Sequence, residues 1–282
     1  MSKKIALLLA SLLCALACIF ALTGCNDTTD TTDAAHTEHN FDDDGICTVC
    51  GDYMQFTLNS DNSSYSITDY AGTTPKMVIP SEYNGLPVTR IGSSAFHDCN
   101  NLIEIIIPES IKSIECNESV TPFEGCVNLH YNSYNTALYL GSKDNPYAFL
   151  IKSKHTAITK CTINEDTKVI VDYAFFRCSN LTSVTIPDSV TTIGEKAFYW
   201  CGLDRVTIGD SVTNIGEKAF NHIIEVFYKG TEAEWSAIII EDYWHTSEFT
   251  SSERYYYSET EPTGEGNYWH YDTDGKTILK WE

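Results

Sequence analysis

Apolar residues along 181–203, LTSVTIPDSVTTIGEKAFYWCGL, fall in an order that recurs further along the chain. The unit reads Leu181-x-x-Val184-x-Ile186-Pro187, then Val190-x-x-Ile193-Gly194, then Ala197-Phe198-x-x-Cys201. The next copy follows at once as Leu203-x-x-Val206-x-Ile208-Gly209, Val212-x-x-Ile215-Gly216 and Ala219-Phe220. Ala-Phe pairs at 174–175, 197–198 and 219–220 are 23 and 22 residues apart. A period in the twenties predicts a stacked solenoid. The period-2 spacing of Val184 and Ile186 puts both on the inner face of a short strand and leaves Thr182, Ser183 and Thr185 outside. Pro187 offers no N–H to a neighbour and ends the pairing. Val190 and Ile193 bring the chain back along the core, and Gly194 stands where a side chain would obstruct the turn. Glu195 to Cys201 reads as one or two helical or 3₁₀ turns with Ala197, Phe198 and Cys201 inward. One such unit cannot bury its own apolar face, so stacking is obligatory.

The same pattern organises the rest of the chain. Residues 53–80 alternate as strands (Met54-Phe56-Leu58, Tyr65-Ile67, Met77-Ile79-Pro80) around a turn at Asp61-Asn62-Ser63, and are expected to cap the first coil. The solenoid is expected over 81–228, with front strands at Leu102-x-x-Ile105-x-Ile107, Ile158-x-x-Cys161-x-Ile163 and Ile223-x-x-Val226-x-Tyr228 beside the two copies above. Residues 130–157 break the pattern and read as a hairpin inserted into, or extending, one coil. After Lys229-Gly230 the pattern stops. Thr231-x-x-Glu234 forms a capping box for a short helix, and the remainder of 229–282, rich in Tyr and Trp, is expected to cap the last coil.

Residues 1–24 lie outside this scheme. Lys3 and Lys4 precede an apolar run, Ile5 to Leu22, that ends in Leu22-Thr23-Gly24-Cys25. The stretch resembles a bacterial lipoprotein signal with its lipobox, and that resemblance implies cleavage before a lipidated Cys25 and a membrane-anchored, extracytoplasmic protein; an ordinary secretory signal and a single membrane span are the alternatives. Residues 25–40 are Thr- and Asp-rich and read as a solvated tether. The net charge of −21 becomes more negative when the two signal lysines leave, which argues against nucleic acid as a partner. Of eleven cysteines, Cys14 and Cys18 leave with the signal and eight remain beyond Cys25, in a compartment where disulfides are permitted.

Residues 36–51 carry the one constellation with metal chemistry. His36-x-x-His39 precedes Cys47-x-x-Cys50-Gly51, and a Cys-x-x-Cys-Gly turn can present two thiolates to a tetrahedral zinc whose shell the histidines would complete. A local Cys47–Cys50 disulfide, a redox dithiol and an unlinked pair remain open, although no thioredoxin-like βαβ pattern surrounds the pair. No cofactor is otherwise required. Motifs for a zinc protease, a nucleophile elbow or a phosphate loop are absent from the sequence, so catalysis is not expected.

With its Ile-Pro, Ile-Gly-x-x-Ala-Phe and Phe-x-x-Cys-x-x-Leu elements repeating in order over about residues 74–228, the chain resembles the BspA-like leucine-rich-repeat family of bacterial surface proteins. The resemblance implies a mainly β leucine-rich-repeat solenoid, displayed at the cell surface, that contacts a protein of the cell surface, host or matrix. The surface for such a contact is expected on the outward strand positions: Lys76, Glu104, Lys160, Ser183, Arg205 and Glu225 in one row, Val78, Ile106, Thr162, Thr185, Thr207 and Phe227 in the next. Cys99, Cys126, Cys178 and Cys201, each three residues after a core Phe, read as a ladder of structural thiols. A second reading places carbohydrate on the aromatic C-terminal region around Tyr268-Trp269-His270-Tyr271, where an exposed ring such as Trp269 would stack on a sugar.

Overall fold

The computed structural model describes residues 39–118, 121–241 and 248–281, so Cys25, His36, the signal and the expected tether up to residue 38 lie outside the described part, while the last two tether residues, His39 and Asn40, fold into structure instead of a solvated spacer. Within it the repeat unit forms a three-sided coil. The front side is a parallel ladder in which Ser183–Ile186 pairs with Arg205–Ile208 and that strand with Glu225–Tyr228. The register sets Val184, Val206 and Val226 in one inward column and Ile186, Ile208 and Tyr228 in the next, all buried. The rear side is a ladder of two-residue strands, Val169–Ile170, Thr192–Ile193, Asn214–Ile215 and Ile239–Ile240. Gly194 and Gly216 follow these strands because the coils approach too closely there for a side chain. A Cβ on Gly194 would lie 2.5 Å from the Asp172 nitrogen, and one on Gly216 would lie 2.5 Å from the Glu195 nitrogen.

The third side differs from the helical or 3₁₀ turns that the sequence suggests. Residues 195–200 form hydrogen-bonded turns in which left-handed residues stand four apart, at Tyr173 and Arg177, Lys196 and Trp200, Lys218 and His222. The hydrogen bonds explain the conformation. Alternate N–H groups, those of Tyr173, Phe175 and Arg177, donate along the stack to the carbonyls of Glu195, Ala197 and Tyr199. The intervening N–H groups of Ala174, Phe176 and Cys178 close turns within their own coil. A helix would direct all of its N–H groups along its own axis and leave the stack unpaired.

A column of phenyl rings runs inside these three sides. Phe175 stacks on Phe198 at 5.0 Å, Phe198 on Phe220 at 5.1 Å, and Phe220 on Phe249 at 4.9 Å between ring centroids. Inter-strand spacing is about 4.8 Å, so one ring per coil at a fixed position stacks offset-parallel with no adjustment of the backbone. Phe249 belongs to a coil that the sequence pattern does not reveal. The solenoid continues past Lys229-Gly230: the helix α1 (Glu232–Ala237) leads into the rear strand Ile239–Ile240, and Glu253–Tyr257 extends the front ladder beside Glu225–Tyr228. The helix replaces a rear-side turn, and Trp235 substitutes for its aliphatic residues, so the period is intact in space while its letters are lost.

Two further departures lie at the middle. Ile158, Cys161 and Ile163 are buried as expected, but residues 160–163 form no strand, and Lys160 and Thr162 project from irregular backbone. The expected hairpin is present as Asn132–Tyr134 and Ala137–Leu140, and it joins the rear ladder by pairing with Phe149–Ser153. The rear side is thereby divided. Tyr65–Ala71, Leu86–Ile91 and Ser113–Ile114 form one parallel portion, continued at the N-terminal end by the antiparallel strand Tyr53–Leu58, and the hairpin begins the other. Asp172 stitches the two portions: its carboxylate accepts the Glu195 N–H at 2.8 Å from one side and the Cys116 N–H at 3.2 Å from the other.

Two outcomes follow from this packing. Phe198→Ala is expected to lower the unfolding free energy by about 3–5 kcal/mol, since its ring is buried between two others, whereas Thr185→Ala on the outer face should change it by less than about 0.5 kcal/mol; urea denaturation followed by circular dichroism measures both. Burial pushes the Asp172 carboxyl up to about 7, against the opposing pull of the Glu195 and Cys116 N–H groups. The folded chain therefore holds a proton that the unfolded chain releases near its ordinary value of 3.8, and this group's contribution to stability falls as pH rises from about 4 to about 7. The urea midpoint of Asp172→Asn should show a shallower decline than the parent over that window.

Candidate functional site

Residues 39–52 fold into a knuckle against the N-terminal cap. Phe41 and Cys47 form an antiparallel bridge, as do Ile46 and Tyr53, and the turn between them passes through Gly45 at φ 76°. A Cβ there would lie 2.1 Å from the Met54 carbonyl oxygen, which leaves glycine as the residue that fits. Gly51 donates its N–H to the Cys47 carbonyl at 2.9 Å, closing the Cys-x-x-Cys turn, and the Cys47 N–H reaches the Asp52 carbonyl at 2.7 Å. The turn brings three of the four expected metal ligands together. The ligand atoms of His39, Cys47 and Cys50 all lie within 4.8 Å of one another, and Cys50 Sγ is 3.6 Å from His39 Nδ1. His39 and Cys47 are buried and Cys50 is half-buried.

The thiols differ electrostatically. Burial pushes Cys47 up, but the N–H groups of Cys50, Val49 and Asn40, together with the Cys50 thiol, outweigh it and hold Cys47 below the ordinary cysteine value. Burial pushes Cys50 above that value, with the Asp52 N–H opposing the shift. Asp52 is also desolvated, yet the hydrogen bonds it accepts hold it below the usual carboxylate range: they come from Thr74, from the Tyr70 hydroxyl at 2.6 Å and from the Thr73 N–H at 3.1 Å. Through Asp52 the knuckle is anchored to the strand Tyr65–Ala71.

The outward strand rows are divided by the C-terminal segment. Lys76 pairs with Glu104 at 2.9 Å, and Glu104, Lys160, Thr162, Ser183, Thr185 and Arg205 are exposed, with Val78 and Ile106 half-buried. Thr207 and Phe227, expected on the same open surface, are instead 5% and 1% exposed. The front ladder curls beyond Glu253–Tyr257, through Tyr268–Tyr271 to the antiparallel strand Ile278–Lys280, and folds over its own outer face. Phe227 packs on Tyr255 at 5.2 Å and on Trp269 at 5.8 Å, the Trp269 indole N–H donates to the Tyr228 carbonyl at 2.9 Å, and Lys280 reaches both Glu225 and the Tyr255 hydroxyl. Trp269 is 0% exposed, so its ring offers no face to a sugar.

A surface that the strand rows do not include stands on the turn side. Trp200 is 55% exposed, and Arg177 lies over its ring at 5.4 Å and over Phe176 at 4.9 Å. Phe176 stacks on Tyr199 at 6.2 Å and meets Tyr173 edge-on at 5.3 Å. These residues fill the two x positions of Phe-x-x-Cys in adjacent coils, Phe176-Arg177 and Tyr199-Trp200, so the signal was present as large side chains where the pattern requires none.

The repeat cysteines occupy the corner beside this side. Cys126 and Cys178 are buried, Cys99 and Cys201 half-buried; Cys126 Sγ donates to the Phe96 carbonyl at 3.0 Å and Cys201 Sγ to that of Phe175 at 3.1 Å. Cys178, beside the Cys201 sulfur, lies below the ordinary cysteine value, with burial opposing the shift. With Cys116 and Cys161, both buried, they serve as packing and hydrogen-bonding groups.

Stacked three-sided coils with inward aliphatic columns on the strands and a phenyl column on the turn side define a leucine-rich-repeat solenoid. The family described as the BspA type leucine rich repeat region matches in six copies, over residues 74–143 and 145–230, and the chain belongs to it. Among solved structures it is similar to the leucine rich repeat protein of T. pallidum, with 25% identity over 61% of this chain and 78% of that one and a TM-score of 0.34. It is similar also to a leucine rich cell surface protein of Faecalibacterium prausnitzii, with 16% identity, coverage of 76% and 98% and a TM-score of 0.29. A leucine-rich repeat protein of Eubacterium ventriosum shows 17% identity, coverage of 73% and 76% and a TM-score of 0.36. No curated protein matches the chain. Among the described residues no helix is long and apolar enough to cross a membrane.

Proposed function

We propose that this protein is a non-catalytic, surface-displayed interaction module that binds a protein partner through its turn side, at the platform formed by Tyr173, Phe176, Arg177, Tyr199 and Trp200. Family membership supports the protein-binding class, and the exposed Trp200 carries the choice of surface. Trp, Tyr and Arg are enriched among the residues that dominate protein interfaces: the aromatic rings bury large areas with few rotatable bonds, and the planar guanidinium stacks and hydrogen-bonds. The backbone adds a second argument. Tyr173, Arg177 and Trp200 have φ of 58°, 61° and 61°, a region that bulky residues occupy only at a cost of about 1–2 kcal/mol. Asn or Asp would fit those positions with less strain, and Asp98 does so in an earlier coil. At the exposed positions 177 and 200 a large side chain gains little from burial, which favours a role in contact, while Tyr173 is half-buried and supports the platform from its edge. The open strand residues Glu104, Lys160, Thr185 and Arg205 are the competing surface.

The anchoring part of the proposal rests on the Leu-Thr-Gly-Cys sequence at 22–25. A lipid on Cys25 would hold the solenoid at the outer side of a membrane, with the Thr- and Asp-rich stretch as spacer.

Two measurements test these readings. The full chain, solubilised in detergent, should capture a partner from surface and matrix protein extracts, and Trp200→Ala with Arg177→Ala should reduce capture at least tenfold, while Lys76→Ala with Glu104→Ala and Arg205→Ala leaves it unchanged. The reverse pattern would transfer the site to the strands, and equal capture by both variants would eliminate both surfaces. In cells given an alkyne-bearing fatty acid, the chain should become labelled, and Cys25→Ala should abolish the label.

A further inference from the structure

The knuckle at residues 39–52 is built as a cation site, and nothing in the interaction reading uses it. We infer that His39, Cys47 and Cys50 bind one zinc ion, which fastens the entrance of the chain to the N-terminal cap. Geometry is the first argument. A tetrahedron with Zn–S of about 2.3 Å and Zn–N of about 2.05 Å has an S···N edge of about 3.6 Å. Cys50 Sγ and His39 Nδ1 stand 3.6 Å apart, and Cys47 Sγ lies within 4.8 Å of both. One edge thus has the length of a tetrahedral shell and the third donor stands close enough to join it, the fourth corner being left to water or a further side chain.

The hydrogen bonds are the second argument. The Cys47-to-Gly51 turn, closed by the Gly51 N–H to the Cys47 carbonyl at 2.9 Å, sets the N–H groups of Cys50 and Val49 beside Cys47 Sγ, and that of Asn40 joins them. Backbone donors aimed at sulfur stabilise thiolate, the form that binds metal, and give little to a neutral thiol. The third is charge. Two thiolates and a neutral imidazole sum to −2, so a dication makes the half-buried cluster neutral; without it, burial of two like charges side by side is unfavourable. A donor set of two sulfurs and an imidazole nitrogen selects zinc over magnesium or calcium, which take oxygen ligands.

The consequence of binding is mechanical. His39 and Asn40 come from the incoming strand, Cys47 and Cys50 from the turn, and Asp52 links the turn to Tyr70 of the cap sheet. Among the described residues the Phe41–Cys47 bridge closes the segment 39–47 on itself, and the segment reaches the cap through the Ile46–Tyr53 bridge, the Met54 N–H to the Gly45 carbonyl and the Tyr83 hydroxyl to the Asp42 carbonyl. A metal shared by both ends of the segment supplies the cross-link that a short knuckle lacks.

The test uses the untagged full chain purified in detergent without chelator. Mass spectrometry of metals should find close to one zinc per chain, and Cys47→Ser with Cys50→Ser should lose it while Cys99→Ser with Cys126→Ser keeps it. Replacement by cobalt(II) should give the intense visible bands of a tetrahedral site with thiolate-to-cobalt charge transfer, absent from the Cys47/Cys50 variant. Circular dichroism and retention of the solenoid's cooperative unfolding separate loss of the site from loss of the fold. Chelation should lower the first melting transition and raise the rate at which Cys47 and Cys50 are alkylated at least tenfold, both restored by added zinc. A Cys47–Cys50 disulfide in the purified chain, zinc retained by the double variant, or zinc removal without effect on melting and alkylation would each overturn the inference.

Discussion

Every coil must present its neighbour with the same two things at the same height: a column of peptide hydrogen bonds and a flat apolar side chain. The spacing of hydrogen-bonded strands fixes that height, and offset-stacked rings fit it with centroids about 5 Å apart. Phe175, Phe198, Phe220 and Phe249 satisfy both conditions together. The left-handed residues of the turn side follow from the same demand, because they turn alternate N–H groups towards the next coil. The glycines at 194 and 216 follow as well, since coils held this close leave no room for a Cβ.

This explains which features could be read from the chain and which could not. Columns that repeat in space repeat in sequence, so the strands at 183–186, 205–208 and 225–228, the inward aliphatics and the core phenylalanines were visible as periodic letters. Where a coil meets the stacking condition with different chemistry, the letters vanish. The coil that ends at Tyr257 uses helix α1, Trp235 and Phe249 in place of the usual turn, and it was taken for the start of a cap. Residues 160–163 show the opposite case: the spacing was right and the residues are buried, but the hairpin before them alters the register and no ladder forms.

For the candidate sites the limit was different in kind. The expected ligands His39, Cys47 and Cys50 lie within twelve residues of one another and local turns bring them together, so their spacing alone was informative about proximity. The exposure of Thr207 and Phe227 depended on a segment some forty residues later folding back over them, and strand alternation carries no information about that. Trp200 was overlooked because a pattern search reads the positions that repeat, and a contact surface is made from those that do not. The closing of the front sheet over Phe227 buries that ring, whereas Trp200 on the turn side stays exposed.

The uniform columns between Ser183 and Tyr228 have a consequence for how such a molecule can change over time. A coil copied or deleted there would find the same carbonyls, the same phenyl face and the same aliphatic column on either side, so a change of some twenty residues would disturb less than many single substitutions. At the ends this freedom disappears: the antiparallel strand Ile278–Lys280 and the knuckle at 39–52 each fit one particular neighbour. Length is therefore the variable that lineages of this protein can alter in large steps, while its two ends are inherited as fixed parts.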